Sequence, residues 1–253
     1  MIKILISGIA GRMGQELLKE IEKDKDKEFI VCAGFDKVSS NNEIPIYNDI
    51  ESIKEQPDVI IDFSNPKATL DVLEYAKQKL IPIVIATTGF TENEIKLIKE
   101  SAKVIPIFKS NNMSYEISLM GEIVSKLAVK LKDADIEIVE THHRNKIDSP
   151  SGTALMLADS INRAREDKFE YVYERHSKRK ERSSDEIGIH SVRGGTEAGK
   201  HSVIFLGEDE TLEITHSVSS RKIFAKGALK ATKYVINQKA GLYDMKDLLK
   251  EEK

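Results

Sequence analysis

What this chain lacks narrows its chemistry first. Cys32 is the single cysteine, so neither an internal disulfide nor a cysteine cage for a metal can form. Its setting, Phe29-Ile30-Val31-Cys32-Ala33, reads as buried strand rather than as a reactive thiol. The six histidines show no His-Glu-x-x-His spacing, and no catalytic metal is expected. Apolar runs such as Ile81 to Ala86 are strand-sized, far short of a membrane span. Neither sign of charge dominates: the net charge is -3, which excludes an overall electrostatic footprint for nucleic acid. The N-terminus enters a strand without a signal-peptide pattern, and the expected location is cytoplasmic.

What remains is a chain of 253 residues with 32% charged and 40% hydrophobic content, long enough for two modest domains. Short apolar strands near 2–7, 29–35, 58–62, 82–86 and 104–108 alternate with helical patterns at 14–23, 66–79 and 91–102. Ser64, Asn65 and Thr91 offer helix caps, with Pro66 near a first turn. That rhythm predicts a Rossmann-like, doubly wound parallel α/β sheet.

After Lys109 the pattern changes to a long helix at about 114–131, a strand at 135–141, a helix at 151–165 and a polar stretch ending near Glu186. His201 to Leu206 and Thr211 to Val218 then flank a Gly-Glu-Asp-Glu turn, and Leu212, Ile214, His216 and Val218 alternate with polar residues. This predicts an α+β domain with a mostly antiparallel sheet. Residues 221–237 are helical again and are expected to return to the first domain. The predicted division is 1–112 with 222–253 as a dinucleotide-binding domain, and 113–221 as a substrate-binding and oligomerisation domain.

Gly8, Gly11 and Gly14 follow the first strand and open the first helix, a glycine turn of the kind that holds a dinucleotide pyrophosphate. The spacing is one residue longer than the strict fingerprint, but Asp36 ends the second strand, where an acid can bind adenosine ribose hydroxyls. Arg12 and Lys37 add cations able to meet a 2′-phosphate, so both NADH and NADPH are expected as cofactors. Ala86-Thr87-Thr88-Gly89-Phe90 follows the fourth strand, at the carboxyl edge where open sheets place ligands. Such residues suit a nicotinamide ribose and are equally ordinary loop residues. Ser110-Asn111-Asn112-Met113, after the fifth strand, reads the same way.

The block from Glu140 to Ala154 carries the chemistry. His142 and His143, if they continue the strand, point to opposite faces and take different tasks. One serves as general acid, because imidazole titrates near neutral pH. Lys146 is a mobile cation able to hold a carboxylate or deliver a proton. Ser151-Gly152-Thr153 opens a helix whose first N–H groups form a second anion cradle. Two anion sites beside an acid suit a small dicarboxylate. The basic run from Arg175 to Arg182 lacks interleaved aromatics and reads as a solvated loop.

Together these residues resemble the dihydrodipicolinate reductase (4-hydroxy-tetrahydrodipicolinate reductase) family. The likeness runs from Gly8–Gly14 through Thr87-Thr88-Gly89-Phe90 and the histidine block to Val192-Arg193-Gly194-Gly195, Gly199, His201 and Ser220-Arg221. The resemblance implies NAD(P)H-dependent reduction of a cyclic unsaturated dicarboxylate to tetrahydrodipicolinate in lysine (diaminopimelate) biosynthesis. By motif position it makes His142 the proton donor and Lys146 its partner cation, with His143, Lys146, Gly152 and Thr153 at the substrate. It places Gly8, Ile9, Ala10, Gly11, Arg12, Met13, Asp36, Lys37, Ala86, Thr87, Thr88, Ser110, Asn111, Asn112 and Met113 at the cofactor. It also implies a homotetramer joined through the substrate domains, domain closure on loading, and neither nucleic-acid nor membrane partners. This chain departs from the family pattern with Glu116 where Ser-x-Gly typically enters the long helix, with Ala86 for a usual glycine, and with Ser149 for a usual alanine. Two other readings use the same residues: a dehydrogenase for another small amino or oxo acid, and a nucleotide-sensing protein without catalysis.

Overall fold

Two units divide the chain, Met1–Tyr115 with Arg221–Lys253, and Glu116–Ser220. The computed structural model describes residues 1–38, 40–41, 43–177 and 179–251, so Lys178 of the basic run and the last two residues of the predicted first domain lie outside the described residues. In chain order the elements are β1 (Ile2–Ser7), α1 (Arg12–Glu22), β2 (Phe29–Phe35), β3 (Ser40–Asn41), β4 (Pro45–Tyr47), β5 (Val59–Asp62), α2 (Pro66–Lys79), β6 (Ile83–Ile85), α3 (Glu92–Ser101) and β7 (Pro106–Lys109). They continue with α4 (Tyr115–Lys130), β8 (Asp135–His142), α5 (Gly152–Ala164), β9 (Glu170–Val172), β10 (Glu186–Arg193), β11 (Gly199–Leu206), β12 (Thr211–Val218), α6 (Lys222–Val235), β13 (Gly241–Tyr243) and α7 (Met245–Glu251).

In the first unit the strands order as β13-β7-β6-β5-β1-β2-β4-β3. All neighbours pair parallel except the short β3, which runs antiparallel to β4 at the edge. Strand alternation sorts the apolar side chains into two cores. Ile4, Ile6, Val59, Ile61, Val84 and Phe108 pack with Leu17 of α1 and with Ala225, Ala228, Ala231 and Val235 of α6. Leu5, Ile60, Ile83, Ile85 and Ile107 pack on the other face with Val72, Leu73 and Ala76 of α2 and Ile98 of α3. The doubly wound sheet is therefore written residue by residue in the apolar alternation.

Local chemistry sets the helix starts. Asn65 caps α2 by accepting the Ala68 N–H, with Pro66 in the first turn, and Thr91 with Glu94 forms a capping box on α3. Ser64, expected as a cap, instead donates to the Asp62 carboxylate. Cys32 lies half-buried in β2, its thiol donating to the Ile4 carbonyl at 3.4 Å, and burial pushes its pKa up.

The second unit is built on a five-stranded sheet of order β12-β11-β8-β10-β9. The β12–β11 and β11–β8 pairings are antiparallel, whereas β8–β10 and β10–β9 are parallel. Of these strands, β9 falls within the stretch expected to be polar loop; it is three residues long, too short to show a period. One sheet face packs against α4 and α5 around Val124, Leu157, Ile161, Ile136, Ile138, Ile189 and Phe205. On the opposite face Val192 is 48% exposed and Leu206 38%. No helix among the described residues is long and apolar enough to cross a membrane.

Gly227 of α6 lies against the Met113 backbone, where an added Cβ would collide with the Met113 carbonyl oxygen. In an unencumbered helix interior Gly→Ala stabilises by about 1 kcal/mol. Here the obstacle is backbone, which cannot rotate away, so Gly227→Ala is expected to destabilise by about 1–3 kcal/mol instead. A urea unfolding midpoint equal to or above that of the parent chain would refute the close approach.

Candidate active site

In the first unit the chain turns sharply after β1. Gly8 has φ +79°, and a Cβ there would sit 2.5 Å from the Phe63 carbonyl oxygen, so only glycine fits. Gly11 occupies the N-cap of α1 and supplies no side chain to its N–H groups. The start of α1 is thus presented as backbone donors at a positive helix end, a site for an anion. Beside it opens a cavity of about 570 Å³ lined by Gly8, Ala10, Gly11, Asp36 and Lys37 among others. Asp36 accepts from the Ala10 N–H at 2.9 Å and the Lys37 N–H at 2.7 Å, which ties the end of β2 to the glycine turn. A glycine cradle that a Cβ would fill, a bare helix start and an acid at the second strand end fit a dinucleotide.

Three cofactor positions called from sequence face inward. Ile9 is 1% exposed and Met113 2%, both in the core, so they can offer a cofactor only backbone. Thr87 is buried while Thr88 beside it is exposed. Ser110 donates to the Asn112 carbonyl at 2.6 Å and Asn111 accepts from Lys109 at 3.0 Å. The two segments leave the carboxyl ends of β6 and β7, adjacent strands of which β6 adjoins β5.

The second unit gathers a polar cluster at the end of β8. Burial alternates strictly along this strand, so Glu140 and His142 share its covered face while His143 leaves it half-buried. His142 Nδ1 lies 2.5 Å from Glu140 Oε2. An ionised carboxylate only accepts, so Nδ1 carries the proton and Nε2 is the working nitrogen. Arg193 grips the same carboxylate with two bonds of 2.7 Å, Ser191 donates to it at 2.7 Å, and the Ser151 N–H at 3.1 Å. Burial alone would raise the Glu140 pKa; the bonds from Arg193, Ser191, His142 and Ser151 outweigh it and hold the group down to about 2.

Behind His142 stands His201, edge-on with ring centroids 5.1 Å apart. Its Nε2 meets the Ser151 hydroxyl at 3.0 Å, and that hydroxyl caps α5 by accepting the Ala154 N–H. Burial, with the neighbouring His142 charge, lowers the His201 pKa to about 4, so the ring is neutral near neutral pH. Gly199 of β11 faces His142 Nε2; a Cβ there would stand 3.1 Å from that nitrogen. A Cβ built at Gly152, at the start of α5, meets nothing within 4 Å, and Gly152 is exposed. Lys146 Nζ pairs with Asp148 at 2.8 Å. A proton-bearing ring, a cation and a helix start with an exposed glycine therefore lie along one stretch of chain.

A family model for the dihydrodipicolinate reductase N-terminus matches residues 2–113, and one for its C-terminus matches residues 116–249. The chain belongs to the dihydrodipicolinate reductase family. A 4-hydroxy-tetrahydrodipicolinate reductase of Caldanaerobacter subterraneus subsp. tengcongensis is 48% identical over 99% of each chain. One from Clostridium tetani is 43% identical over 98% of this chain and 97% of its own. Among solved structures, a dipicolinate-bound dihydrodipicolinate reductase from Paenisporosarcina sp. TG-14 superposes with a TM-score of 0.78 at 27% identity, covering 96% of this chain and 97% of that one.

Within this family fold, several site residues escaped the sequence reading. Glu140 and Arg193 had no assigned task, although a Glu-x-His pair on a strand shares one face by its period of two. His201 reaches Ser151 across 50 sequence positions, a contact no local pattern announces. In the cofactor cavity the lining also includes Asn48, Ser64, Asn65, Lys67 and Asp71, from loops and the first two turns of α2. Glu116 is exposed in the first turn of α4 and favours the charged form of His216, whose pKa burial lowers. The described residues of the basic run form a loop in which His176, Ser177, Arg179, Lys180 and Glu181 are exposed, but three of its cations are paired: Arg175 and Lys180 with buried Glu186 at 2.9 and 3.3 Å, and Arg182 with Asp135 at 2.5 Å and Glu137 at 3.1 Å. The acids on β8 that meet Arg182 lie 45 and 47 positions away in sequence.

Acid is expected to weaken the fold in two successive windows. The folded His201 pKa of about 4 lies below the ordinary 6.5, so the unfolded chain takes up that proton first and stability falls as pH drops between those values. The folded Glu140 pKa of about 2 lies below the ordinary 4.5, so its contribution is full above 4.5 and lost as pH falls toward 2. Urea unfolding of His201→Gln should show a flattened first window with the second intact. An unaltered slope between pH 6.5 and about 4 would remove His201 as its source.

Proposed function

We propose that this protein reduces 4-hydroxy-tetrahydrodipicolinate (dihydrodipicolinate) to tetrahydrodipicolinate with NADH or NADPH, a step of lysine and diaminopimelate biosynthesis in the cytoplasm. Full-length kinship with reductases of that name supports the reaction. The observation that carries the mechanism is the buried Glu140–His142 pair, with Nε2 facing the side-chain-free Gly199. Bound reduced nicotinamide supplies the hydride. Gly8, Ile9, Ala10, Gly11, Arg12 and Met13 cradle the pyrophosphate through backbone N–H groups, and Asp36 with Lys37 meets the adenosine ribose. Ala86, Thr87, Thr88, Ser110, Asn111, Asn112 and Met113 line the nicotinamide end.

His142 donates the proton from Nε2, and Glu140 stabilises the charged ring and holds its orientation. Lys146 assists as the partner cation; a substrate carboxylate competes with Asp148 for its ammonium. His143, Gly152 and Thr153 hold the second carboxylate, the helix start adding dipole and N–H groups. Dipicolinate, which the Paenisporosarcina relative binds, is a planar analogue of such a ring with both carboxylates.

Four copies assemble through the outer sheet face of the second unit. Val192, Ile204 and Leu206 share that face, and Val192 and Leu206 are the exposed apolar members.

Coupling the preceding synthase to this protein and following NADH and NADPH oxidation separately tests the reaction. His142→Gln should lower kcat by about 10²–10⁴-fold with little change in KM. Near-parental turnover would dismiss His142 as the acid. Lys146→Ala is expected to raise KM and lower kcat together, and unchanged kinetics would remove Lys146 from the site. By sedimentation the assembly should weigh about four times the 28.4 kDa chain, and Val192→Glu should dissociate it. A monomeric parent protein would end the assembly proposal.

A further inference from the structure

Asp62, at the carboxyl end of β5, is fully buried, and its partners are neutral hydroxyls. Oδ1 accepts from Ser7 at 2.7 Å and Ser64 at 2.5 Å; Oδ2 accepts from Thr69 at 2.6 Å and Thr87 at 2.7 Å. Each hydroxyl owns one proton, and an ionised carboxylate only accepts, so all four protons point inward to Asp62. Thr69 also lies 3.0 Å from the Asn65 carbonyl, but the shorter bond to a charged acceptor takes its proton. Thr87 uses its free lone pair to accept the Ser64 N–H at 3.0 Å.

We propose that Asp62 is a positioning residue of the cofactor site, gathering these hydroxyl protons so that the oxygen of the half-buried Ser64, a lining residue of the cavity, faces it as an acceptor only, while the fully buried Ser7 fixes the strand end from which the glycine turn departs. Ser7 ends β1 immediately before Gly8 and pairs in register with Asp62. The Phe63 N–H donates to the Ser7 carbonyl at 3.0 Å, and the Ala86 N–H to the Asp62 carbonyl at 2.9 Å. Gly8 abuts the Phe63 carbonyl, so the glycine turn takes its seat from the residue that follows Asp62. One carboxylate thus registers three segments at the carboxyl edge: the pyrophosphate turn, the Ser64-Asn65 start of α2, and the Thr87 loop. The acceptor it presents at Ser64 suits a hydroxyl donor of a ribose rather than a further anionic oxygen.

The inference rests on the NAD(P)H reading, and its test separates the two. NADH binding is followed by fluorescence titration alongside thermal unfolding. Asp62→Asn keeps the shape but turns an N–H₂ toward hydroxyls that need an acceptor, forcing them to rotate. Its NADH Kd should rise about tenfold at a temperature where the circular dichroism is native, the cost of about one hydrogen bond. Thr87→Val, which keeps the carboxylate and removes one hydroxyl, should weaken NADH binding, and Thr87→Ser should restore it. A scaffold role alone predicts lowered melting temperatures with unchanged Kd in all three, and that result would overturn the assignment of Asp62. Failure of the parent chain itself to bind NADH would overturn the functional reading with it.

Discussion

A single buried carboxylate organises the second unit. Removing Glu140 from water costs several kcal/mol, and each bond from a protein donor to a charged acceptor returns about 1.5–3 kcal/mol. Arg193, Ser191, the Ser151 amide and His142 all donate to it, and the depressed pKa of about 2 records which side prevails. The arrangement is also geometric: these donors come from β10, from the start of α5 and from β8 itself. With the carboxylate in place, the His142 tautomer, the cap of α5 and the end of β10 are decided together. Taking away one donor leaves the others facing an undercompensated charge, so the cluster acts as a unit.

The first unit uses the same device differently. Asp62 is also a buried carboxylate, but its partners are hydroxyls rather than an arginine. An arginine fork fixes one partner in two-pronged register, as between Arg193 and Glu140. Hydroxyls instead let one acid order several segments while leaving the half-buried Ser64 oxygen able to bond a ligand. The unit that holds the imidazole and the unit that holds the glycine turn thus each depend on a satisfied internal anion.

Much of this was legible in the chain. The short apolar runs of β1, β5, β6 and β7, alternating with helical patterns, predicted a doubly wound sheet, because parallel strands bury both faces. Asn65, Pro66, Thr91 and Ser151 marked helix starts, since capping depends on a few neighbouring residues. The glycine turn and the His-His-Arg-Asn-Lys block were conspicuous because their chemistry is local. The reading failed where partners are distant in sequence or elements are short. β9, β3 and β13 have too few residues for any period to emerge, and the basic run looked solvated because Glu137 and Glu186, which neutralise it, lie on strands outside its own segment.

The amino-acid sequence by itself determined the two-part architecture, the family and the residue types of the site, because periodicity, capping and motif spacing are properties of neighbours along the chain. Only the tertiary structure decided that Glu140, Arg193, Ser151 and His201 surround His142, that Asp62 collects four hydroxyls, and that the basic run folds onto acids. Most of these contacts join separate elements, as Arg193 does with Glu140 across 53 positions and His201 with Ser151 across 50, and their geometry exists only once sheet register and helix packing bring those elements together.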